Sequence, residues 1–157
     1  MAKQSAGLLF YRVHKKNIQV LLVHPGGPYW SKKEIGAWTI PKGELNEDEE
    51  PLIGALREVE EETGIKAEGN FIALTPVKQK SGKIVYAWAA ELDFDPAEII
   101  SNTFEIEWPP RSGTKKSFPE IDKAGWFGFG EAELMILEAQ RPLLSELKEL
   151  LSPQLNS

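Results

Sequence analysis

The sequence has 157 residues, of which 41% are hydrophobic and 10% are aromatic, and this composition argues against a disordered chain. It contains no cysteine, which excludes disulfides, thiolate zinc sites and cysteine nucleophiles. The formal net charge is −6 and no apolar run approaches the roughly 18 residues of a membrane span, so neither nucleic acid nor membrane is an expected partner.

The first predicted elements are two strands. Apolar and aromatic residues dominate 6–13 and 18–24, and a short HKKN stretch between them predicts a strand pair. The HPGGP sequence from His24 to Pro28 ends the second strand and begins a loop. A short extended segment is expected over 38–40, because the residue before Pro41 avoids the helical region.

A helix is predicted from Pro51 to Thr63, because apolar residues recur there at three- and four-residue spacing. These residues are Leu52, Ala55, Leu56 and Val59. Gly64 provides the stop at the helix C-terminus. Two further strands are expected near 71–76 and 83–91.

Strands and helices are harder to assign in the second half of the chain. We predict a polar loop over 93–118 with a short helix near 96–102, then a last strand over 122–129. Helical periodicity over 131–151 is interrupted near Arg141-Pro142. Helices interleaved with strands predict one α/β (α+β) layered domain over residues 1–157.

The negative charge is concentrated in one segment. Nine acids lie between Glu44 and Glu62, whereas outside this segment bases exceed acids by two. On a helix that turns about 100° per residue, Glu58, Glu61 and Glu62 share one face and Glu60 points elsewhere. Such spacing is repulsive, and a hard divalent cation with oxygen ligands would relieve it. The simpler alternative is a solvated acidic face.

The residues around these acids change the balance between the two interpretations. Gly43, Glu49 and the run Arg57-Glu-Val-Glu-Glu-Glu-Thr-Gly-Ile65 match the Nudix signature at each defined position, from Gly43 to Ile65. The chain therefore resembles the Nudix hydrolase family over most of its length. The HPGGP, PKGE and EWPPRSG stretches also resemble a branch described as predicted nucleoside triphosphate pyrophosphohydrolases.

The resemblance implies a Nudix-type α/β/α sandwich around a mixed β-sheet. It also implies hydrolysis of a nucleoside diphosphate linked to another group, with Mg²⁺ or Mn²⁺. Glu58, Glu61 and Glu62 are then the expected metal ligands, and Arg57 is expected to orient Glu49. Glu61 or Glu58 could act as the base, and Glu120 is a candidate base or metal ligand outside the signature.

Residues outside the signature give weaker indications of substrate. Lys42 could hold a phosphate as a point charge, or it could be a solvated loop lysine. Trp108 could stack on a base while Arg111 and Lys115 meet phosphates, with a surface loop as the alternative. Tyr29-Trp30 is a second candidate aromatic wall. His24 is more typical of a packed core histidine than of a ligand.

The leading hypothesis is a Mg²⁺-dependent pyrophosphohydrolase that acts on a small-molecule nucleotide, with a preference for dinucleoside polyphosphates or nucleoside triphosphates. Nucleotide sugars, ADP-ribose and inositol pyrophosphates are alternative substrates. A nucleotide-sensing module that binds without hydrolysis is the alternative of another class. The N-terminus has no signal-peptide pattern and no span is expected, so a cytoplasmic protein is predicted, and the family allows a homodimer.

Overall fold

A mixed seven-stranded sheet lies at the centre of the computed structural model, which describes residues 3–155. In chain order the elements are β1 (Gln4–His14), β2 (Asn17–Pro25), β3 (Lys42–Glu44), α1 (Pro51–Thr63), β4 (Ile72–Ala73), β5 (Val77–Lys78), β6 (Ile84–Glu91), β7 (Thr103–Glu107), β8 (Lys115–Pro119), β9 (Ile121–Gly128), α2 (Phe129–Met135) and α3 (Arg141–Leu155). Short 3-10 turns occupy Pro96–Glu98 and Glu138–Gln140.

The sheet has the strand order β4-β6-β1-β2-β9, and β7 and β8 form a separate two-stranded sheet. β1 runs parallel to β6, with Gln4 opposite Ile84, and antiparallel to β2. β3 pairs with the beginning of β1, where Ala6 lies opposite Gly43. This pairing places the start of the Nudix signature on the central sheet, directly before the loop into α1.

Helices cover both faces of this sheet, and the central strand β1 is therefore buried on both of its faces. Leu8 and Phe10 pack on the side of α1, whereas Leu9 and Tyr11 pack on the side of α2 and α3. α1 contributes Ala55 and Val59, and α3 contributes Leu143, Leu144, Leu147 and Leu151. Full burial of one such leucine stabilises the fold by about 1.5–3 kcal/mol. The predicted sandwich of helices around a mixed sheet is confirmed.

The prediction for α1 is correct at both ends, and Gly64, which follows the last helical residue, adopts the left-handed conformation at φ 77°. The strand expected near 71–76 shrinks to Ile72–Ala73. The helix expected near 96–102 is only a 3-10 turn. The long helical segment is two helices, because the chain leaves helical geometry at Ile136 and resumes it at Arg141.

The loop predicted over 93–118 is wrong over its second half, where β7 and β8 form a hairpin. Phe104 lies opposite Phe118, with ring centroids 6.1 Å apart, and Ile106 lies opposite Lys116. Cross-strand aromatic pairs of this kind stabilise short hairpins. Among residues 3–155, no helix combines the length and apolarity needed to cross a membrane.

Gln140 forms a buried polar junction between the sheet and α3. Its side chain is fully buried, its Oε1 accepts from the backbone N–H of Ile40 at 3.1 Å, and its Nε2 donates to Thr39 Oγ1 at 2.9 Å. Nε2 also donates to Gln79 Oε1 at 3.2 Å. The junction therefore joins the extended segment before β3 to the β5–β6 turn.

Gln140→Met should lower the free energy of unfolding by about 1–3 kcal/mol, because it leaves the buried Ile40 N–H without an acceptor. Urea unfolding followed by circular dichroism measures this difference. Glu138→Gln, an exposed change two residues earlier, serves as the control and should alter stability by less than about 0.5 kcal/mol. Equal effects of the two changes would contradict the role assigned to Gln140.

Candidate active site

α1 presents the predicted carboxylates on one face of the sheet. Val59 is fully buried and fixes the rotation of the helix, so that Glu58 and Glu62 are turned partly inward and Glu60 is exposed. The side chain of Glu58 is 18% exposed, whereas that of Glu61 is 53% exposed. Exposure therefore separates Glu60 from Glu58 and Glu62 but not from Glu61, and the set of three metal-binding acids stays a prediction.

Arg57 lies at the centre of an ion-pair network. Its Nε and Nη2 donate to the two carboxylate oxygens of Glu49, each at 2.8 Å. Its Nη1 also donates to Glu58 Oε1 at 2.9 Å and to Glu61 Oε2 at 3.1 Å. The Arg57–Glu49 pair expected from the signature is present, and the same guanidinium neutralises two of the proposed metal ligands.

The pKa of the Glu49 carboxyl lies far below its usual range. The hydrogen bonds from Arg57, helped by the backbone N–H of Asn46 at 2.9 Å, lower the pKa of Glu49 to about 2. A carboxylate whose pKa is lower in the folded state contributes stability above its unfolded pKa and loses it as pH falls toward the folded pKa. The stabilisation should therefore disappear between about pH 4.5 and pH 2.

Glu49→Gln should lower the thermal midpoint at pH 6, and the difference from wild type should shrink as pH falls to 3. Differential scanning calorimetry over this range tests the expectation. Glu47→Gln, an exposed change in the same loop, should show no such trend. A Glu49→Gln difference that stays constant from pH 6 to pH 3 would contradict the linkage.

Gly43 leaves the space that the Glu58 side chain occupies. A Cβ at Gly43 would lie 2.0 Å from Glu58 Oε2 and 2.3 Å from its Cδ. Because β3 is held against β1, Gly43 cannot easily move away. The signature glycine is therefore required for close approach of a carboxylate to the strand, and its conformation is not the reason.

Glu62 and Glu120 come together from distant parts of the chain. Burial, followed by the charges of Glu120 and Glu58, raises the pKa of Glu62 to about 7, although Lys42 opposes the shift. Burial and the charges of Glu58 and Glu61 raise the pKa of Glu120. Glu120 therefore shares its electrostatic environment with all three helix acids, and its role as base or metal ligand stays a prediction.

The β8–β9 turn holds Glu120 in place through its backbone. The Glu120 N–H donates to the Asn102 carbonyl oxygen at 2.8 Å, and the Glu120 carbonyl oxygen accepts from the Gly26 N–H at 2.9 Å. A Cβ on Gly26 would lie 1.9 Å from the Pro119 oxygen. Glu120 is therefore tied directly to the loop that follows β2.

The acids border a cavity of about 440 Å³, here named the inner cavity, which Glu58, Glu62 and Glu120 line together with an aromatic wall. The wall consists of Tyr29, Trp30 and Phe104. The Tyr29-Trp30 prediction is thus compatible with the structure. Phe104 was not among the predicted residues, because its alternation with Ile106 is a strand signal of only five residues within a polar segment.

His24 supports this wall from within the core. Its imidazole is fully buried, with Nδ1 2.6 Å from Asp122 Oδ1 and Nε2 against the Lys33 carbonyl oxygen. It therefore joins β2, β9 and the loop that carries Trp30. This position agrees with the expectation of a core histidine.

Lys42 lies beside the acids in a middle cavity of about 250 Å³, which Glu62 and Glu120 also line. Burial and the nearby Lys83 lower the pKa of Lys42, while Glu62 and Glu44 act in the opposite direction. A partly buried ammonium beside carboxylates could meet a phosphate at short range. The position of Lys42 is thus compatible with its predicted role.

The hairpin residues lie farther out. The Trp108 ring contacts Tyr29, with ring centroids 5.3 Å apart, and the backbone N–H of Trp108 donates to the Thr114 carbonyl oxygen at 2.9 Å. Arg111 and Lys115 are exposed, and none of these three predicted residues lines the inner or middle cavity as described. Their contact with substrate stays a prediction.

The donor set has the chemistry of a site for a hard divalent cation. Several carboxylates face one another, one has a pKa raised to about 7, and only a glycine leaves room for Glu58. Within residues 3–155, however, no group of three or more such side chains has metal-binding geometry, and Arg57 already bonds Glu58 and Glu61. The clustered carboxylates have the negative charge that a divalent cation requires. Which of them would bind the cation stays a prediction.

Comparison with known proteins shows the family of this chain. The family model described as NUDIX domain matches residues 1–147, and the chain belongs to the Nudix family. It is 36% identical over 108 residues to the asymmetrical bis(5'-nucleosyl)-tetraphosphatase of Rattus norvegicus, covering 60% of this chain and 69% of that protein. It is 40% identical over 130 residues to Nudix hydrolase 6 of Arabidopsis thaliana, covering 83% of this chain and 41% of that protein.

The fold also matches a solved structure. The binary complex of a Caenorhabditis elegans Ap4A hydrolase superposes with a TM-score of 0.68 at 22% identity, covering 97% of this chain and 99% of that one. This likeness shows the fold. The chain spans about two fifths of the plant relative's length, so the activities of whole relatives are not carried over directly. The family and the tetraphosphatase relatives indicate a pyrophosphohydrolase.

Proposed function

We propose that the chain hydrolyses a pyrophosphate bond in a nucleoside diphosphate linked to another group, with Mg²⁺ as the cation and a dinucleoside polyphosphate or nucleoside triphosphate as substrate. The observation that carries this proposal is the convergence of Glu58, Glu62 and Glu120 with Lys42 beside an aromatic wall. The names of the tetraphosphatase relatives support the choice of dinucleoside polyphosphates.

The residues divide into binding and proton-transfer roles. Tyr29, Trp30 and Phe104 offer aromatic surface to a base, and Lys42 offers a point charge to a phosphate. Glu58, Glu61 and Glu62, with Glu120, would hold a divalent cation, which supplies charge neutralisation and Lewis acidity when bound. A carboxylate of this group takes a proton from the attacking water, with Glu61, Glu58 and Glu120 as the candidates.

A substrate panel tests the proposal. The purified chain is incubated with diadenosine tetraphosphate, ATP, ADP-ribose, a nucleotide sugar and an inositol pyrophosphate, with Mg²⁺, with Mn²⁺ and with EDTA. We expect nucleotide products only with a divalent cation, and ¹⁸O-labelled water should label one of the two products. Tight binding without any product would instead favour a nucleotide-sensing module.

Three further parts of the proposal concern the setting of the protein. A cytoplasmic location, a homodimer and the absence of a nucleic-acid partner are predictions from the sequence and from the family. The clustered acids around the inner cavity would repel a polyanion in the absence of a cation. Binding of labelled RNA or DNA with and without Mg²⁺ tests the last of them.

A further inference from the structure

A third cavity, named the outer cavity, opens beyond the middle one and has a volume of about 490 Å³. It is enclosed by the loop after β2, the β5–β6 turn and the segment that begins α3. Its walls include Trp30, Gln79, Lys80, Ser81, Leu137 and Arg141. This volume falls within the range of about 300–1,000 Å³ that is typical of small-molecule sites.

The outer cavity continues the other two. Trp30, Gln79 and Leu137 line both the outer and the middle cavity, and Trp30 also lines the inner cavity. The middle cavity in turn reaches Lys42 and Glu62. Because they share wall residues, the three cavities are neighbours in a row, here named the passage, which extends from the aromatic wall at Tyr29, past the acids and Lys42, to Arg141.

The walls of the outer cavity have the chemistry that recognises a nucleoside next to a phosphate. The Trp30 indole and the Leu137 side chain offer apolar surface for a base, and Gln79 and Ser81 offer polar groups for its edge. Lys80 and Arg141 supply two cations against one acid, Glu138. Within the described range, neither the Lys80 ammonium nor the Nη atoms of Arg141 have a hydrogen-bond or ion-pair partner.

We propose that the outer cavity binds the second nucleoside of a dinucleoside polyphosphate. The first nucleoside then lies at the Tyr29 and Phe104 wall, and the phosphate chain passes the acids and Lys42. A nucleoside triphosphate has only one nucleoside and would fill the passage incompletely. This inference rests on the proposed function and selects between its two substrate classes.

Binding measurements test the inference independently of catalysis. Isothermal titration calorimetry with Ca²⁺, which also accepts carboxylate oxygen ligands, gives dissociation constants for diadenosine tetraphosphate and for ATP. We expect the wild-type protein to bind diadenosine tetraphosphate at least about tenfold more tightly than ATP, because a second base gains a stacking surface. Ser81→Trp, which fills the outer cavity from an exposed turn, should remove this advantage and leave ATP binding unchanged.

Lys80→Ala should weaken diadenosine tetraphosphate several-fold more than ATP. The matched control is Lys148→Ala, because Lys148 is exposed on α3 and lines none of the three cavities. The inference would be overturned if the wild-type protein bound the two ligands equally well or bound neither. It would also be overturned if Ser81→Trp weakened both ligands equally. If the protein hydrolysed ATP but bound diadenosine tetraphosphate no more tightly than ATP, the proposed function would stand and this inference would fail. If it bound diadenosine tetraphosphate more tightly but hydrolysed neither ligand, only the proposal of catalysis would fail.

Discussion

Glu62→Gln and Glu61→Gln should each lower turnover of the best substrate by about 100- to 10,000-fold while leaving the fold intact. Burial and then the like charges of Glu120 and Glu58 raise the pKa of the partly buried Glu62, so replacing this carboxylate with an amide of the same size relieves repulsion and does not open a core. The side chain of Glu61 is more than half exposed, and among residues 3–155 its carboxylate has Arg57 as its one side-chain partner. The loss is therefore expected in kcat, with a change of only a few degrees in the thermal midpoint.

Glu60→Gln provides the matched control for these two variants. Glu60 lies on the same helix with the same side chain, yet its side chain is exposed on another face. Steady-state kinetics and a thermal melt on all three variants separate chemistry from folding. Normal turnover by both Glu61→Gln and Glu62→Gln, or an equal loss in Glu60→Gln, would refute the assignment of this face.

Gly43→Ala should reduce kcat/KM by about 100-fold, because a misplacement near 1 Å can cost that much in a positioned site. The new methyl group would lie 2.0 Å from Glu58 Oε2 and 2.7 Å from its Cγ, so the whole carboxylate arm must turn away. The backbone of β3 does not need a positive φ at this position. Folding should therefore suffer much less than activity.

Gly130→Ala is the control for this change, since a Cβ at Gly130 would meet no atom within 4 Å. Activity assays and thermal melts of the two alanine variants are compared under one set of conditions. Full activity of Gly43→Ala would show that Glu58 does not need its present position. A large fall in the melting temperature of Gly43→Ala alone would instead assign the glycine to folding.

Some of this architecture could be predicted because the signals were local. The apolar spacing of Ala55 and Val59 fixed which face of α1 is buried, and hence which acids remain together on the other. Gly64 ends the helix because glycine adopts a positive φ without a steric penalty. Glu49 lies only eight residues from Arg57, so the signature spacing already contained their ion pair.

Other features depend on contacts that local patterns do not contain. The β7–β8 hairpin is five residues long on each strand, and its alternation of Phe104 and Ile106 is too short to stand out beside a polar surrounding. The bond between Gly26 and Glu120 joins residues far apart in the chain. Nor could spacing show that Trp30 lines three successive cavities, since that position depends on where two loops meet.

Arg57 gives the acidic helix a property that its sequence does not suggest. One guanidinium compensates Glu49, Glu58 and Glu61 within the polypeptide, so the repulsion on this helix face is already reduced without any ion. In small zinc domains, by contrast, metal binding supplies the folding energy itself. If a cation binds these carboxylates as proposed, it competes with an internal counter-charge, so its affinity should depend on the strength of the Arg57 contacts and not on assembly of the domain.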